Sequence, residues 1–228
     1  MRKFLLLLPV LSLLVGCSSS SSSGKNTGWT HLFNGQDLTG WVQRGGKALY
    51  RVENGELVGQ AVPNTPNSFL CTERSYANFI LELEFRPTTG LNSGVQVRSE
   101  CFDEARTVEV GGKEFKIPAG RVHGYQVEID PSERAWTAGI YDESRRGWLN
   151  DLKNNEPARK AFRANEWNQL RIECRGDSLK TWLNEVPAAD LRDSVTPAGF
   201  IALQVHGVGN REEGLEVRWR NVRIRELP

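Results

Sequence analysis

The sequence predicts an all-β fold, two antiparallel sheets stacked as a jelly-roll-like sandwich, on three observations. Apolar and polar residues alternate with a period of two in run after run from Leu49 to the C-terminus. Turn chemistry separates many of these runs, most clearly Asn54-Gly55 between Val52 and Leu57. No long window sustains the 3.6-residue period of a packed helix, so helices should be short and few. Strands with one apolar face each must close into a barrel or stack as two sheets. Seven Trp and nine Phe supply large side chains for the space between two sheets, which favours the sandwich over the barrel.

The N-terminus comes first. Arg2 and Lys3 precede an apolar run from Phe4 to Val15, which is the pattern of a signal sequence and too short for a permanent bilayer span. Leu14-Val15-Gly16-Cys17 resembles the bacterial lipobox, in which cleavage before the cysteine precedes lipidation of its thiol. Residues 1–16 are therefore expected to be a lipoprotein signal peptide, and residues 17–27 a Ser-rich tether lipidated at Cys17. An ordinary secretory signal beside a chance cysteine is the alternative. The expected location is the bacterial cell envelope, lipid-anchored and facing the periplasm or the cell surface. Residues 28–228 form one domain, with no linker-like composition inside it.

Removal of residues 1–16 takes Arg2 and Lys3 from 29 basic residues and leaves all 28 acidic ones, so the remainder is near neutral. A nucleic-acid partner, which needs a clustered basic face, is not expected. Beyond Cys17, Cys71, Cys101 and Cys174 suit no zinc spacing. Cys71 and Cys101 could pair in an oxidising envelope, and Cys174 could equally be a small buried residue.

The strands follow in order: "LYRVENGELVG", "FILELEF", "GVQVR", "YQVEI", "WNQLRIEC", "SLKTWLN", "FIALQVH" and "LEVRWRNVRIREL". Two stretches, Ser99 to His123 and Asp142 to Asn165, break the pattern and read as long irregular loops, which in a compact domain are usually functional.

Alternation sorts side chains onto faces. In "GYQVEID", Tyr125, Val127 and Ile129 oppose Gln126, Glu128 and Asp130. In "FILELEFR", Phe79, Leu81, Leu83 and Phe85 oppose Glu82, Glu84 and Arg86. Val95 and Val97 oppose Gln96 and Arg98, and Ile201, Leu203 and Val205 oppose Ala202, Gln204 and His206. If these four strands share one sheet, their polar residues meet on one surface. An ordinary solvated face is the bland reading, but Lys is absent from all four stretches, and amides with Arg suit recognition of hydroxyls. Glu128 and Asp130, about 6.5–7 Å apart at Cα, fit either a retaining or an inverting glycosidase pair. Tyr141 could serve as a rim or sugar-stacking group. Asn92, in Asn92-Ser93-Gly94, reads as a turn residue that could also reach the site.

The series "HLFNGQDLTGW", "ILELEFR", "NSGVQVRS", "HGYQVEID", "TAGIYDE", "NEWNQLRIECRGDSLKTWLN", "GFIALQVHG" and "VRWRNVRIREL" resembles the 3-keto-disaccharide hydrolase domain family, formerly a domain of unknown function, from about Trp29 to Leu227. The resemblance implies a concanavalin-like sandwich whose concave sheet acts on glycosides oxidised to a ketone at C3. Such a ketone acidifies the proton on C2, and the enolate formed by its removal expels the group at C1. Water then adds back to give net hydrolysis, and stopping earlier makes the enzyme a lyase. On this chemistry Glu128 or His206 is expected to be the base. Arg98, with help from a divalent metal if one binds, would stabilise the enolate. Gln96, Gln126, Gln204, Tyr141 and Glu84 would bind substrate, and Asp130 would orient His206 or contribute to a metal site. No cofactor is required with certainty.

Two other functions compete. A non-catalytic glycan-binding lipoprotein would need exposed aromatic platforms, and most Trp here sit in strand-packed or turn contexts. A conventional glycosidase would pair Glu128 with Asp130 or Glu82 and would turn over unoxidised sugars.

Overall fold

The computed structural model describes Met1 and residues 28–228; the expectations for the signal sequence, the serine tether and Cys17 lie outside the described residues. The elements are β1 (Thr30–His31), β2 (Trp41–Gly45), β3 (Leu49–Glu53), β4 (Glu56–Gln60), β5 (Ser68–Tyr76), β6 (Phe79–Pro87), β7 (Ser93–Cys101), β8 (Arg106–Val110), β9 (Lys113–Ile117), β10 (Val122–Ile129), β11 (Ile140–Glu143), β12 (Gly147–Asn150), α1 (Glu156–Ala161), β13 (Asn168–Arg175), β14 (Ser178–Leu183), β15 (Val186–Arg192), β16 (Gly199–Val205) and β17 (Glu216–Glu226). Two antiparallel sheets make a sandwich. One has eight strands, in the order β15-β14-β13-β6-β17-β4-β3 with β1 added beside β17. The other has seven, in the order β12-β11-β10-β7-β16-β5-β2.

The alternation explains the packing. Phe79, Leu81, Leu83 and Phe85 of one sheet meet Val95, Val97, Val127, Ile129, Ile201 and Leu203 of the other in a single core, closed by the fully buried Trp219. Each such side chain removed from water contributes about 1.5–3 kcal/mol. Asn54 and Gly55 both take positive φ, 51° and 78°, and close β3 onto β4 as the Asn-Gly pair predicts.

Three expectations need correction. The four polar-faced strands do not share a sheet: β7, β10 and β16 are neighbours in the seven-stranded sheet, whereas β6 is central to the other. Alternation fixes which residues share a face of one strand but carries no information on long-range pairing. The two stretches read as irregular are partly ordered, the first as the β8–β9 hairpin and the second as β12 and the single-turn helix α1. That helix is capped by Asn155, whose side chain accepts from Ala158 N at 3.2 Å, and Pro157 sits in its first turn. Cys71, Cys101 and Cys174 are all free thiols, so the suggested Cys71–Cys101 bridge is not formed. Among the described residues no helix is long and apolar enough to cross a membrane.

Candidate functional site

The outward face of the seven-stranded sheet holds a cavity of about 340 Å³ at the end where β10 finishes and β7 begins. Gln126 and Glu128 form its floor, and Tyr141, Glu143 and Trp148 come from the β11–β12 hairpin. Asn67, Asn92, Arg134 and His206 complete the rim from loops.

A hydrogen-bonded row of amides fixes the floor. β7, β10 and β16 lie side by side in a register that sets Gln126 opposite Gln96 and Gln96 opposite Ala202. Gln126 Oε1 accepts from Gln96 Nε2 at 2.8 Å and from Gln204 Nε2 at 2.7 Å. With its oxygen so occupied, Gln126 can only donate through Nε2, which it does to Glu128 Oε2 at 2.8 Å. Asn92 Nδ2 donates to the other carboxyl oxygen, Glu128 Oε1, at 2.6 Å. The base candidate is thus held at both oxygens. Burial pushes the Glu128 carboxyl above its ordinary value; Asn92 and Gln126 pull it back, Asp130 adds to the rise and Arg134 opposes it.

Gly94, at the start of β7, makes this possible. A Cβ there would lie 2.6 Å from both Cγ and Cδ of Gln126, so only glycine lets that side chain lie across the strand.

Glu143 is a second raised carboxyl on the cavity wall. Burial lifts it, with Asp142 adding, while the Ser144 hydroxyl, Arg121 and His206 work against the rise. Its hairpin is anchored underneath by Asp142, which takes Arg145 Nε at 2.8 Å and Arg146 Nε at 2.5 Å. Arg146 continues to Asp193 at 2.7 Å, and Asp193 accepts the Tyr125 hydroxyl. The aromatic wall follows: Trp148 meets Tyr141 edge-on at 5.3 Å and Trp136 at 4.8 Å, with the Arg134 guanidinium over both indoles.

The expected residues divide. Glu128, Gln126, Tyr141 and His206 meet in the cavity. His206 is exposed and lies one residue past β16 rather than mid-strand. Its Nδ1 is 2.8 Å from the Gly207 carbonyl, which can only accept, so Nδ1 carries a hydrogen and Nε2 is the nitrogen left to take up or release a proton. Gln96 and Gln204 are fully buried beneath the floor and hold Gln126 rather than line the cavity.

Arg98 does not reach the cavity. At its level β7 sets two residues against the single Ile201 of β16, a bulge in which Arg98 takes φ 47°. The alternation breaks there, and the buried guanidinium donates to Ala77 O at 2.7 Å, Gly176 O at 2.7 Å and Asn78 Oδ1 at 3.2 Å. Glu84 lies on the other sheet, bound to Arg220 Nε at 2.7 Å and Asn221 Nδ2 at 2.8 Å. Glu82, the other carboxylate weighed as a glycosidase partner, shares that sheet and is paired with Arg171 and Arg223.

Asp130 serves its own loop. It takes Ser132 Oγ at 2.6 Å and Arg134 Nε at 2.8 Å, and also the amides of Ser132 and Trp136. Burial alone would raise its carboxyl, but Ser132 and Arg134 outweigh it and hold the group below its ordinary value. Its acceptor capacity is spent on turning the chain toward Arg134, which leaves it neither beside His206 nor free as a ligand. Among the described residues no group of three or more His, Cys, Asp or Glu is arranged to hold a metal ion.

Sequence reasoning missed Glu143, Trp148, Arg134 and Asn67. Glu143 lies two residues beyond Tyr141 on the same face of β11, but it fell at the start of the stretch read as loop. Trp148 was hidden because β12 fell in a stretch read as loop, and Asn67, whose Oδ1 accepts Gly207 N at 2.9 Å, lies just before a strand with no pattern to mark it.

The family model described as the 3-keto-alpha-glucoside-1,2-lyase-like domain matches residues 28–225. The chain belongs to that family. No match was found among curated proteins. Solved structures similar to this lyase-like domain include a candidate glycosyl hydrolase from Parabacteroides distasonis ATCC 8503, 18% identical over 88% of this chain and 94% of that one, with a TM-score of 0.56. Others are the carbohydrate binding module CBM66 from Bacillus subtilis, 18% identical over 81% and 95% at a TM-score of 0.54, and a Bacillus subtilis protein of unknown function with a galectin-like fold. That last one is 12% identical over 87% and 94%, with a TM-score of 0.59. At these identities they establish the sandwich shared with the lyase-like domain, and the site is argued from its own geometry.

Proposed function

We propose that this lyase-like domain cleaves the glycosidic bond of 3-keto-glycosides by abstracting the proton at C2, with Glu128 as the base. The observation that carries the reading is the Glu128 carboxylate itself. It is buried on the floor of a sugar-sized cavity, raised by burial, and held at both oxygens by amides that cannot take a proton from it. A carboxylate whose pKa is raised by burial is a stronger base, suited to removing a proton that a neighbouring ketone has acidified.

Arg98 is replaced in the proposed mechanism by groups that do face the cavity. Arg134 and Tyr141 can receive the charge that develops on the enolate oxygen, and His206, through Nε2, can hand a proton to the departing C1 oxygen. Trp148, braced by Trp136, offers an indole wall for the sugar ring. No step is routed through a metal. Elimination alone gives a lyase, and readdition of water at C1 gives net hydrolysis. The same proposal keeps the protein at the cell envelope, anchored through Cys17.

The test compares 3-keto-trehalose with trehalose. Glucose released only from the oxidised sugar, and lost in E128Q, supports the proposal. Equal turnover of both sugars returns the function to a conventional glycosidase, and saturable binding without turnover leaves a glycan-binding domain.

A further inference from the structure

The outward face of the eight-stranded sheet carries a cavity of its own, of about 290 Å³, lined by Glu82, Gln169, Arg171, Trp182 and Glu185. Register sets Pro187, Trp182, Arg171, Glu82 and Arg223 side by side across β15, β14, β13, β6 and β17. Arg171 donates to Glu82 at 2.8 Å and sits 5.5 Å over the Trp182 ring, and Arg223 holds the other oxygen of Glu82 at 2.6 Å. A smaller hollow of about 160 Å³ shares Glu82 and Gln169 and continues toward Asn221 and His31.

The turn at its rim breaks a local rule. Asn184 and Glu185 join β14 to β15 with φ of 48° and 70°. Asn184 is well used: its Oδ1 accepts Gln169 N at 2.8 Å and its Nδ2 donates to Ala161 O at 2.7 Å. The second position of such a turn favours glycine, because any Cβ in the left-handed region is strained. A glutamate stands there, exposed, with no hydrogen bond or ion pair to any described residue. The fold gains nothing visible from that side chain, yet it lines a tryptophan-walled cavity. Strain kept where the fold does not use it points to a ligand.

We propose that this face is a second, non-cleaving glycan site, centred on Trp182 and rimmed by Glu185, on the side of the sandwich opposite the Glu128 cavity. An indole stacks on the C–H face of a sugar, while carboxylate, amide and guanidinium groups match hydroxyls as acceptors and donors. Glu82 and Glu185 against Arg171 and Arg223 balance in charge, which favours a neutral oligosaccharide over a charged ligand. The shallow continuation past Gln169 suits a chain of sugars rather than a single ring. The protein would hold a glycan on one sheet while the other works.

The test titrates the full-length protein with cellotetraose, maltotetraose and laminaritetraose by calorimetry. W148A, which alters the first cavity, should keep a saturable site for at least one of them. W182A and E185G should each weaken that site by about tenfold or more, a change of 1.4 kcal/mol. Both should turn over 3-keto-trehalose as wild type does, so a failure here is separable from a failure of the proposed lyase. E185G should not lower Tm, since glycine relieves the turn. Binding that survives both W182A and E185G, no binding of any of the three at millimolar concentration, or an E185G protein that is destabilised would each overturn the proposal.

Discussion

Gln126 is the hub on which the account of the Glu128 cavity turns, and Gln126→Met tests it. Methionine fills nearly the same volume without a polar group. The substitution removes the acceptor for Gln96 and Gln204 and the donor to Glu128, three bonds of 2.7–2.8 Å. Two amide donors are stranded in fully buried positions, each costing about 1–3 kcal/mol, and a bond to a charged acceptor is lost as well. Allowing the two glutamines to relax, the expected destabilisation is about 3–6 kcal/mol, a large part of a typical 5–15 kcal/mol total. For a domain of this size that is a fall in Tm of about 6–24 °C. The kinetic consequence is separate. Gln126 is one of the donors that restrain the rise of the Glu128 carboxyl, so its loss moves that carboxyl further up. The rising limb of kcat/KM against pH, which follows ionisation of the base, should shift to higher pH. Differential scanning calorimetry and a pH–rate profile read the two effects. A Tm within a degree or two of wild type together with an unmoved limb would refute the amide row as the support of the base.

Three further predictions follow from the same geometry. E128Q should lower kcat/KM by about 10²–10⁴; and because burial raises the folded-state carboxyl above its unfolded value, its contribution to stability is full below the unfolded pKa of about 4.3 and is lost as pH rises through the folded value. Denaturant melts should therefore show wild type losing stability relative to E128Q as pH rises, and the opposite slope would contradict the assignment. G94A should press a methyl into Gln126 at 2.6 Å, costing about 1–3 kcal/mol in chemical denaturation and lowering kcat more than a typical surface change does. R98M should lose about 2–4 kcal/mol by stranding the Ala77 and Gly176 carbonyls and Asn78, while kcat of the folded protein at low temperature stays near wild type; a large kcat effect without loss of stability would restore Arg98 to the reaction.

What the sequence revealed and what it hid have physical causes. β10 was legible because a strand packed on one side keeps a strict period of two, so Gln126 and Glu128 had to face away from Val127. Gln96 and Gln204 were placed on the correct face for the same reason. Their role was not legible, since the register that brings both amides to Gln126 Oε1 is set by pairing between distant segments. Arg98 was misassigned because a bulge inserts one residue and reverses every face beyond it; β7 itself carries no glycine there, and the glycine at that level, Gly124 with φ 130°, lies on the neighbouring β10. Glu84 obeyed its alternation and still belonged elsewhere, because sheet membership is a tertiary property. The aromatic platforms were undercounted: Trp148, braced by Trp136, borders the first cavity and Trp182 the second, all only partly buried, on hairpins and turns where context had suggested packing.

The central claim is removal of the C2 proton by Glu128, and it is tested most directly by following that proton. Wild-type protein and E128Q would be incubated with 3-keto-trehalose in deuterium oxide, and the recovered sugar and products examined by NMR for deuterium at C2. The account predicts deuterium at C2 with wild type and none above the uncatalysed background with E128Q. Cleavage by wild type that leaves C2 fully protonated would contradict it, because the glycosidic bond would then be breaking without the enolate.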